Sequence, residues 1–210
     1  MERQEFVWDR EYRDRGTVWN PRILRLPLVF EGKFVLEVGA GNGKTLEAIL
    51  GQKPRKVVAL DFSAEALKKC REKFAGLKNV SFVKADASKM PFSDCEFDAV
   101  VLFYVLDNML QQGRLSVVKE VFRVLKPQGV VLFEDFAVGD FRELEGKRTA
   151  IPEPHTLLKK KGLLCHYFDV DEVKSLFSGF SSVEVSMQER KPIRNKEFIV
   201  RRKITGMMVK

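Results

Sequence analysis

The chain has 210 residues, enough to bury one full α/β core as a single domain, and its net charge is +8. No run is apolar enough to span a bilayer, and Met1-Glu-Arg-Gln-Glu5 is not the start of a signal peptide. Cys70, Cys95 and Cys165 are odd in number and widely spaced, and His155 and His166 have no Cys or carboxylate cluster beside them, so a cytoplasmic protein without disulfides or a metal site is expected.

Residues 1–30 carry Trp8, Tyr12 and Trp19 and precede the first strand, which suits an N-terminal cap over a ligand site. Phe34 to Val38 is an apolar run that ends in Gly39-Ala-Gly41-Asn-Gly43, and a helical pattern with Leu46, Ile49 and Leu50 on one face follows at once. A strand, a glycine turn and a helix start make a backbone surface on which a nucleotide-like cofactor can lie without a Cβ in the way. Dinucleotide folds use G-x-G-x-x-G, but Lys44 stands where the third glycine of that pattern would fall. Glu37, two residues before the first glycine, suits an ammonium or a water better than a pyrophosphate.

Strands and helices then alternate. Lys56–Asp61 reads as a buried strand, and Ser63 caps a helix that turns Ala66, Leu67, Cys70 and Phe74 inward. Val80–Asp86 and Phe97–Leu106 read as the third and fourth strands. Leu115, Val118, Val121, Phe122 and Leu125 mark an amphipathic helix stopped by Pro127, and Val130–Phe136 is the fifth strand. Continuous apolar strands in this rhythm mean a parallel sheet with helices on both faces. Asp140–Gly162 is polar and too long for an ordinary connection, and is read as a functional loop or a partly disordered one. Asp171 caps a short helix, and two strand-like segments, about Val183–Glu189 and Phe198–Val209, form an antiparallel pair at the end of the sheet. The division expected is a cap at 1–30, a cofactor core at 31–140 and a basic substrate side at 141–210, all in one domain. The last part holds 15 Lys/Arg against 9 Asp/Glu, which fits either an anionic partner or an ordinary solvated surface.

The acidic strand end followed by G-x-G-x-G resembles motif I of the class I S-adenosylmethionine-dependent methyltransferases. That resemblance implies a Rossmann-like, seven-stranded, mostly parallel sheet whose last strand is antiparallel and lies between its neighbours. It also implies a role for each strand end. Gly39, Ala40, Gly41 and Gly43 approach the methionyl and ribose parts of S-adenosylmethionine, with Glu37 behind them. Asp61, next to Phe62, accepts from the ribose hydroxyls. Asp86 accepts from the adenine amine, and Ala87 and Ser88 supply backbone donors. Phe103 and Tyr104 sit beside the reacting methyl, with Trp19 of the cap. Any one of these acids could be a helix cap instead. Methyl transfer needs in-line placement at ~3 Å and exclusion of water rather than a catalytic triad. Candidates near the acceptor are Tyr104, Asp107 and Asn108 after the fourth strand, and Glu134 and Asp135 in the fifth. Asp107 and Asp135 are the first choices for stabilising a cationic product, helix caps or loop acids being their other reading.

Over nearly its whole length the chain also resembles the tRNA 3-methylcytidine methyltransferases. The matching stretches are Trp8-Asp9-x-x-Tyr12, Leu36–Gly41 with Thr45, Asp61-Phe-Ser63, Val121–Pro127 and Leu132–Phe136. They continue through Gly162–Phe168, Asp171–Phe177, Gly179-Phe180, Arg190, Asn195-Lys196 and Arg201–Lys210. It departs from that family at Glu134, where an arginine is usual, in its shorter N-terminal extension, and in the loop at 141–161. The resemblance implies tRNA as an anionic substrate, N3 of a cytidine as acceptor, and a partner protein that presents it. Lys159, Lys160, Lys161, Arg190, Lys191, Arg194, Lys196, Arg201 and Arg202 are then the candidate phosphate contacts, and the base would come from an unstacked loop. The alternatives are a small-molecule or protein methyltransferase of the same fold and a cofactor-binding protein without transferase activity.

Overall fold

The computed structural model describes residues 4–15, 26–27, 29–145, 149–159, 162–194 and 197–210. In chain order the elements are α1 (Gln4–Arg15), β1 (Phe34–Val38), α2 (Lys44–Leu50), β2 (Lys56–Asp61), α3 (Ala64–Lys73), β3 (Val80–Lys84) and β4 (Phe97–Phe103). A 3-10 turn (Leu106–Asn108), α4 (Gln111–Val124), β5 (Leu125–Phe136), α5 (Phe141–Glu145), β6 (Thr149–Ala150), β7 (Thr156–Leu158) and β8 (Leu164–His166) come next. The chain closes with α6 (Val170–Leu176), β9 (Ser182–Arg190), β10 (Ile193–Arg194), β11 (Glu197–Phe198) and β12 (Arg201–Val209).

Seven strands form one sheet in the order β3-β2-β1-β4-β5-β12-β9. The first five are mutually parallel, and β12 runs antiparallel to both β5 and β9. The expected topology is therefore the observed one, including an interior position for the last strand. Alternation along the strands separates two apolar layers. Leu36, Val38, Val100, Leu102, Val131 and Phe133 face α4 and α6, where Val117, Val121, Val173 and Phe177 close the layer. Val35, Ala99, Val101 and Leu132 face the other way, with Leu46, Ile49, Cys70 and Phe74 of the α2–α3 side.

Ser63 caps α3 as expected, its hydroxyl accepting from the Ala66 amide at 3.1 Å. Several boundaries differ from the sequence reading. The fourth strand stops at Phe103 because Tyr104 takes a positive φ of 55° and turns the chain. The helix after it ends at Val124, before Pro127, and β5 starts at Leu125. Its partner register with β4 then slips between Phe97 and Ala99, beside the positive-φ residue Gln128. Asp169, not Asp171, caps α6, its carboxylate accepting from the Glu172 amide at 2.8 Å. The segment expected as a loop holds α5, β6 and β7, and β6-β7-β8 form a small antiparallel sheet. The last strand begins at Arg201, while Glu197–Phe198 pairs with Ile193–Arg194 in a separate hairpin.

Candidate active site

The glycine turn is built by three left-handed residues, Gly39, Gly41 and Gly43, at φ 73°, 55° and 76°. The amides of Gly39 and Ala40 donate to the Leu60 carbonyl at 2.8 and 2.9 Å, which ties the turn to the end of β2. Each glycine also stands where a Cβ would meet a neighbour. At Gly43 it would collide with the Phe74 ring and the Cys70 sulfur, so α2 and α3 pack closely there. At Gly41 it would lie 2.5 Å from the Tyr12 hydroxyl.

Two carboxylates are buried beside the turn. Asp61 is 5% exposed and accepts from the Gly41 amide through Oδ2 and the Ser63 amide through Oδ1, both at 2.8 Å. Burial pushes its carboxyl up to about 6, and those two amides oppose the shift. Glu37 is 2% exposed, and its Oε2 has no hydrogen-bond partner among the described residues. Burial first, then the nearby Asp61, holds its carboxyl well above the usual range. A buried carboxylate oxygen without a donor calls for a cation or a donor group to complete it. With Asp61 alongside, the residues fit the ammonium and ribose ends of a methionine-derived nucleoside.

The helix α1 lies over this side of the turn. Asp9 accepts from the Ser63 hydroxyl at 2.5 Å and the Glu65 amide at 3.3 Å, while Arg13 pairs with Glu65 and Lys84 with Glu5. Tyr12 is thereby held over Gly41, and burial first, then Asp61, raises its hydroxyl's ionisation. Tyr12 entered the sequence reading as part of the N-terminal cap and of a motif, not as a contact of the glycine turn. Its contact with Gly41 links residues far apart in the chain, so no local pattern could have shown it. Trp19 lies outside the described residues. Phe62 is half-buried beside Asp61. Asp86 is exposed past the end of β3, and its Oδ1 accepts both the Ser88 amide and hydroxyl at 2.8 Å, so that amide is already engaged; Ala87 is buried.

At the ends of β4 and β5 a second group assembles. A Cβ at Gly39 would lie 2.5 Å from Val105 Cγ2, so the chain leaving β4 abuts the turn. Asp107 and Asp135 meet where the chain leaves β4 and β5. The Asp107 amide donates to Asp135 Oδ2 at 3.2 Å, Asn108 and the Cys165 thiol donate to Asp107, and Asp135 Oδ1 accepts its neighbour Phe136's amide. Burial raises Asp107 to about 7 against the pull of Lys159 and Arg142, and burial with Asp107's charge raises Asp135 well above its ordinary value. Phe103 and Tyr104 instead line a cleft of about 1400 Å³ over β5, β12 and β9. Glu134 lies in it, bonded to the Tyr104 hydroxyl at 2.8 Å and to Lys203 Nζ at 2.6 Å. Lys203 was missed in the sequence, where its place in the two-residue alternation of β12 was the available signal.

Arg142, Arg190, Lys191, Arg201, Arg202 and Lys203 line the same cleft, against Glu134 and Glu184. Four of the expected phosphate contacts, Arg190, Lys191, Arg201 and Arg202, are thus brought together. Several of these cations already have partners: Asp140 takes Arg142 and Arg201, and Glu189 takes Lys191 and Arg202. Lys159 does not itself line the cleft but stands 5.9 Å from the ring centroid of Phe136, which does. Lys160, Lys161 and Lys196 lie outside the described residues, and of Arg194 only the backbone, in β10, is described. Among the described residues no helix is long and apolar enough to cross a membrane, and no group of three or more His, Cys, Asp or Glu could hold a metal ion.

The model of a methyltransferase domain matches residues 35–129. A demethylmenaquinone methyltransferase from Staphylococcus carnosus is 31% identical over 195 residues, 82% of this chain and 78% of the relative. One from Clavibacter sepedonicus is 36% identical over 120 residues, 57% of this chain; that match takes in only 48% of the relative's length. A solved SAM-dependent methyltransferase from Methanosarcina mazei superposes with a TM-score of 0.68 at 22% identity, covering 87% of this chain and 94% of its own, and so shares the fold. The glycine turn with its paired acids, the interior antiparallel strand and these likenesses agree: the chain belongs to the class I S-adenosylmethionine-dependent methyltransferases.

Proposed function

We propose that the chain transfers the methyl group of S-adenosylmethionine to an anionic acceptor held in the cleft over β5, β12 and β9. The observation that carries this reading is the cleft's lining: among the described residues six cations and two carboxylates, together with Tyr104, one residue from the contact with the glycine turn. The cofactor, when bound, supplies an electrophilic methyl on a sulfonium. The protein's own work is then to hold and orient. Glu37 takes the cofactor's ammonium, Asp61 its ribose hydroxyls and Asp86 its adenine amine. Phe103 and Tyr104 flank the acceptor and keep water away. Asp107 and Asp135, at the ends of the same two strands, are buried and do not line the cleft, so they hold no acceptor in it.

Within that reading the acceptor is a base of tRNA, as the C-terminal resemblance implies. The basic lining supports it, because a polyanion is attracted along the whole cleft and its phosphates release counterions on binding. Total tRNA incubated with methyl-labelled S-adenosylmethionine should become labelled, with the label on one nucleoside. Arg190→Ala and Lys191→Ala should each reduce the logarithmic salt dependence of tRNA binding by ~0.7–0.9 and leave S-adenosylhomocysteine affinity unchanged. Protein that neither retains tRNA at low salt nor labels it would end the tRNA reading. The second reading is a small aromatic acceptor. It is favoured by the named relatives, which are demethylmenaquinone methyltransferases, and by the aromatic side chains of Phe103, Tyr104 and Phe136 in the cleft. Labelling of a naphthohydroquinone but not of tRNA selects it.

A further inference from the structure

Asp140 stands just before α5 and is 0% exposed. Its Oδ1 accepts the amide and Nε of Arg142 at 3.0 and 2.8 Å. Its Oδ2 accepts Arg142 Nη2 at 3.2 Å, Arg201 Nε at 3.2 Å and the Arg202 amide at 2.9 Å. The Phe141 amide donates to the Val200 carbonyl at 2.8 Å, which pins the start of α5 to the residue before β12. Each guanidinium also lies against a ring: that of Arg142 is 3.8 Å from the Phe136 centroid, and that of Arg201 is 5.3 Å from the Phe141 centroid. One buried carboxylate and two rings thus fix both arginines. Their other donors are left over. Arg142 Nη1 and both Nη atoms of Arg201 have no protein partner among the described residues, and both side chains line the cleft.

We propose that Arg142 and Arg201 form a fixed fork that binds one phosphate or carboxylate group of the methyl acceptor, and that Asp140 positions both. The proposal rests on the acceptor reading above and adds to it the group by which the acceptor is held. Asp140 sets one negative charge against two guanidiniums, and no second carboxylate among the described residues is in ion-pair reach of either. The pair therefore keeps a net positive charge. Other cations of the cleft differ. Lys203 is taken by Glu134, while Lys191 and Arg202 share the exposed Glu189, and such surface pairs hold their partners loosely. A guanidinium pairs with an oxyanion through parallel N–H···O bonds, and donors that are already fixed lose little freedom on binding. The fork also stands close to Tyr104, because the Phe136 ring under Arg142 has its centroid 4.8 Å from that of Tyr104. With Tyr104 flanking the reacting atom, the acceptor's acid group and that atom are separated by the breadth of these two rings.

The first probe is inorganic phosphate, titrated into the full-length protein and read by the Nε–H resonances of its arginines. The Arg142 and Arg201 signals, identified by their loss in Arg142→Lys and Arg201→Lys, should shift saturably. Each lysine variant keeps the charge and loses the planar fork, so phosphate affinity should fall by about tenfold or more in both, nearly as far as in Arg201→Ala. Unchanged S-adenosylhomocysteine affinity shows that these variants are folded. Asp140→Asn keeps the shape and removes the charge, and it should move both Nε signals before any phosphate is added; signals that stay in place would remove Asp140 from the proposal. Turnover then identifies the group bound, with total tRNA, a naphthohydroquinone, and the same compound bearing a ring carboxylate as acceptors. For the acidic acceptor that is methylated, Arg201→Lys should raise KM about tenfold and leave kcat within about twofold of wild type. Wild-type phosphate affinity in both lysine variants would overturn the fork, since a diffuse positive field does not tell Lys from Arg. Equal KM for the naphthohydroquinone with and without its carboxylate, and no labelling of tRNA, would overturn it too. If no acceptor is methylated, the acceptor reading above fails by itself, and the phosphate titration alone decides whether the fork binds an oxyanion.

Discussion

Val105 and Gly39 are in contact across the sheet: a Cβ added at Gly39 would sit 2.5 Å from Val105 Cγ2. The glycine turn and the segment that leaves β4 are therefore one packed unit. Gly39→Ala sets a side chain into that contact and at a φ of 73°. Left-handed backbone alone costs a non-glycine residue roughly 1–2 kcal/mol. The variant should melt lower and bind S-adenosylhomocysteine more weakly, by scanning calorimetry and titration calorimetry respectively. Unchanged values in both would show that the contact is looser than described.

Asp107 gives stability a pH dependence of known sign. Its folded-state value of about 7 lies above the ordinary 3.8, so the folded chain holds that proton more tightly than the unfolded one. Its contribution is complete below 3.8, is lost as pH rises to about 7, and is flat above. Melting temperatures across that window should fall more steeply in wild type than in Asp107→Asn, which cannot ionise. Parallel slopes for the two proteins would rule this out.

Arg114 is 1% exposed and joins three elements. From α4 it donates to Glu153 before β7, reaches Glu172 of α6 at 3.3 Å, and bonds the Met109 carbonyl at 2.8 Å. His166 of β8 bridges Thr156 and the same Glu172. Arg114→Met takes the buried cation from Glu153 and Glu172, which are partly exposed and keep other partners, and costs about 2–3 kcal/mol, lowering Tm by on the order of 5–10 °C. Hydrogen exchange should speed up first in β7 and β8. A melting temperature close to wild type would mean that the network adds little.

The bonds of Asp9 to the start of α3 hold α1, and so Tyr12, over the turn. Asp61 lies beneath and is nearly inaccessible. Asp9→Ala should loosen α1 and raise both the association and dissociation rates of S-adenosylhomocysteine in stopped-flow measurements. Rates equal to wild type would place the access route elsewhere.

Most of the fold was legible because its strands are buried on both faces. β2 holds the apolar run Val57–Leu60, β1 and β4 are apolar but for Glu37 and Asp98, and the Gly39–Gly43 turn marks where β1 ends. β6 and β7 were not legible, since strands of two and three residues show no alternation. Asp169 and Asp171 offer the same carboxylate two residues apart, and only backbone geometry selects the first as a cap. At the site, Glu37, the glycines and Asp61 could be grouped because strand ends converge at one edge of a parallel sheet. That Glu134 and Asp135 part company follows from strand parity, which is readable. Which of the two faces stays open follows from helix placement, which is not.

The interior position of β12 also bears on how the protein is made. Residues 201–209 are synthesised after every other strand, yet they pair with both β5 and β9. While the nascent chain is still short of them, β5 presents an unpaired hydrogen-bonding edge, and the apolar side chains that Ile204 and Met208 later cover have nothing over them. The N-terminal two thirds therefore cannot complete the sheet before residues 201–209 are available. Closure of the sheet must await late, long-range pairing, which is slow and exposes the chain to aggregation.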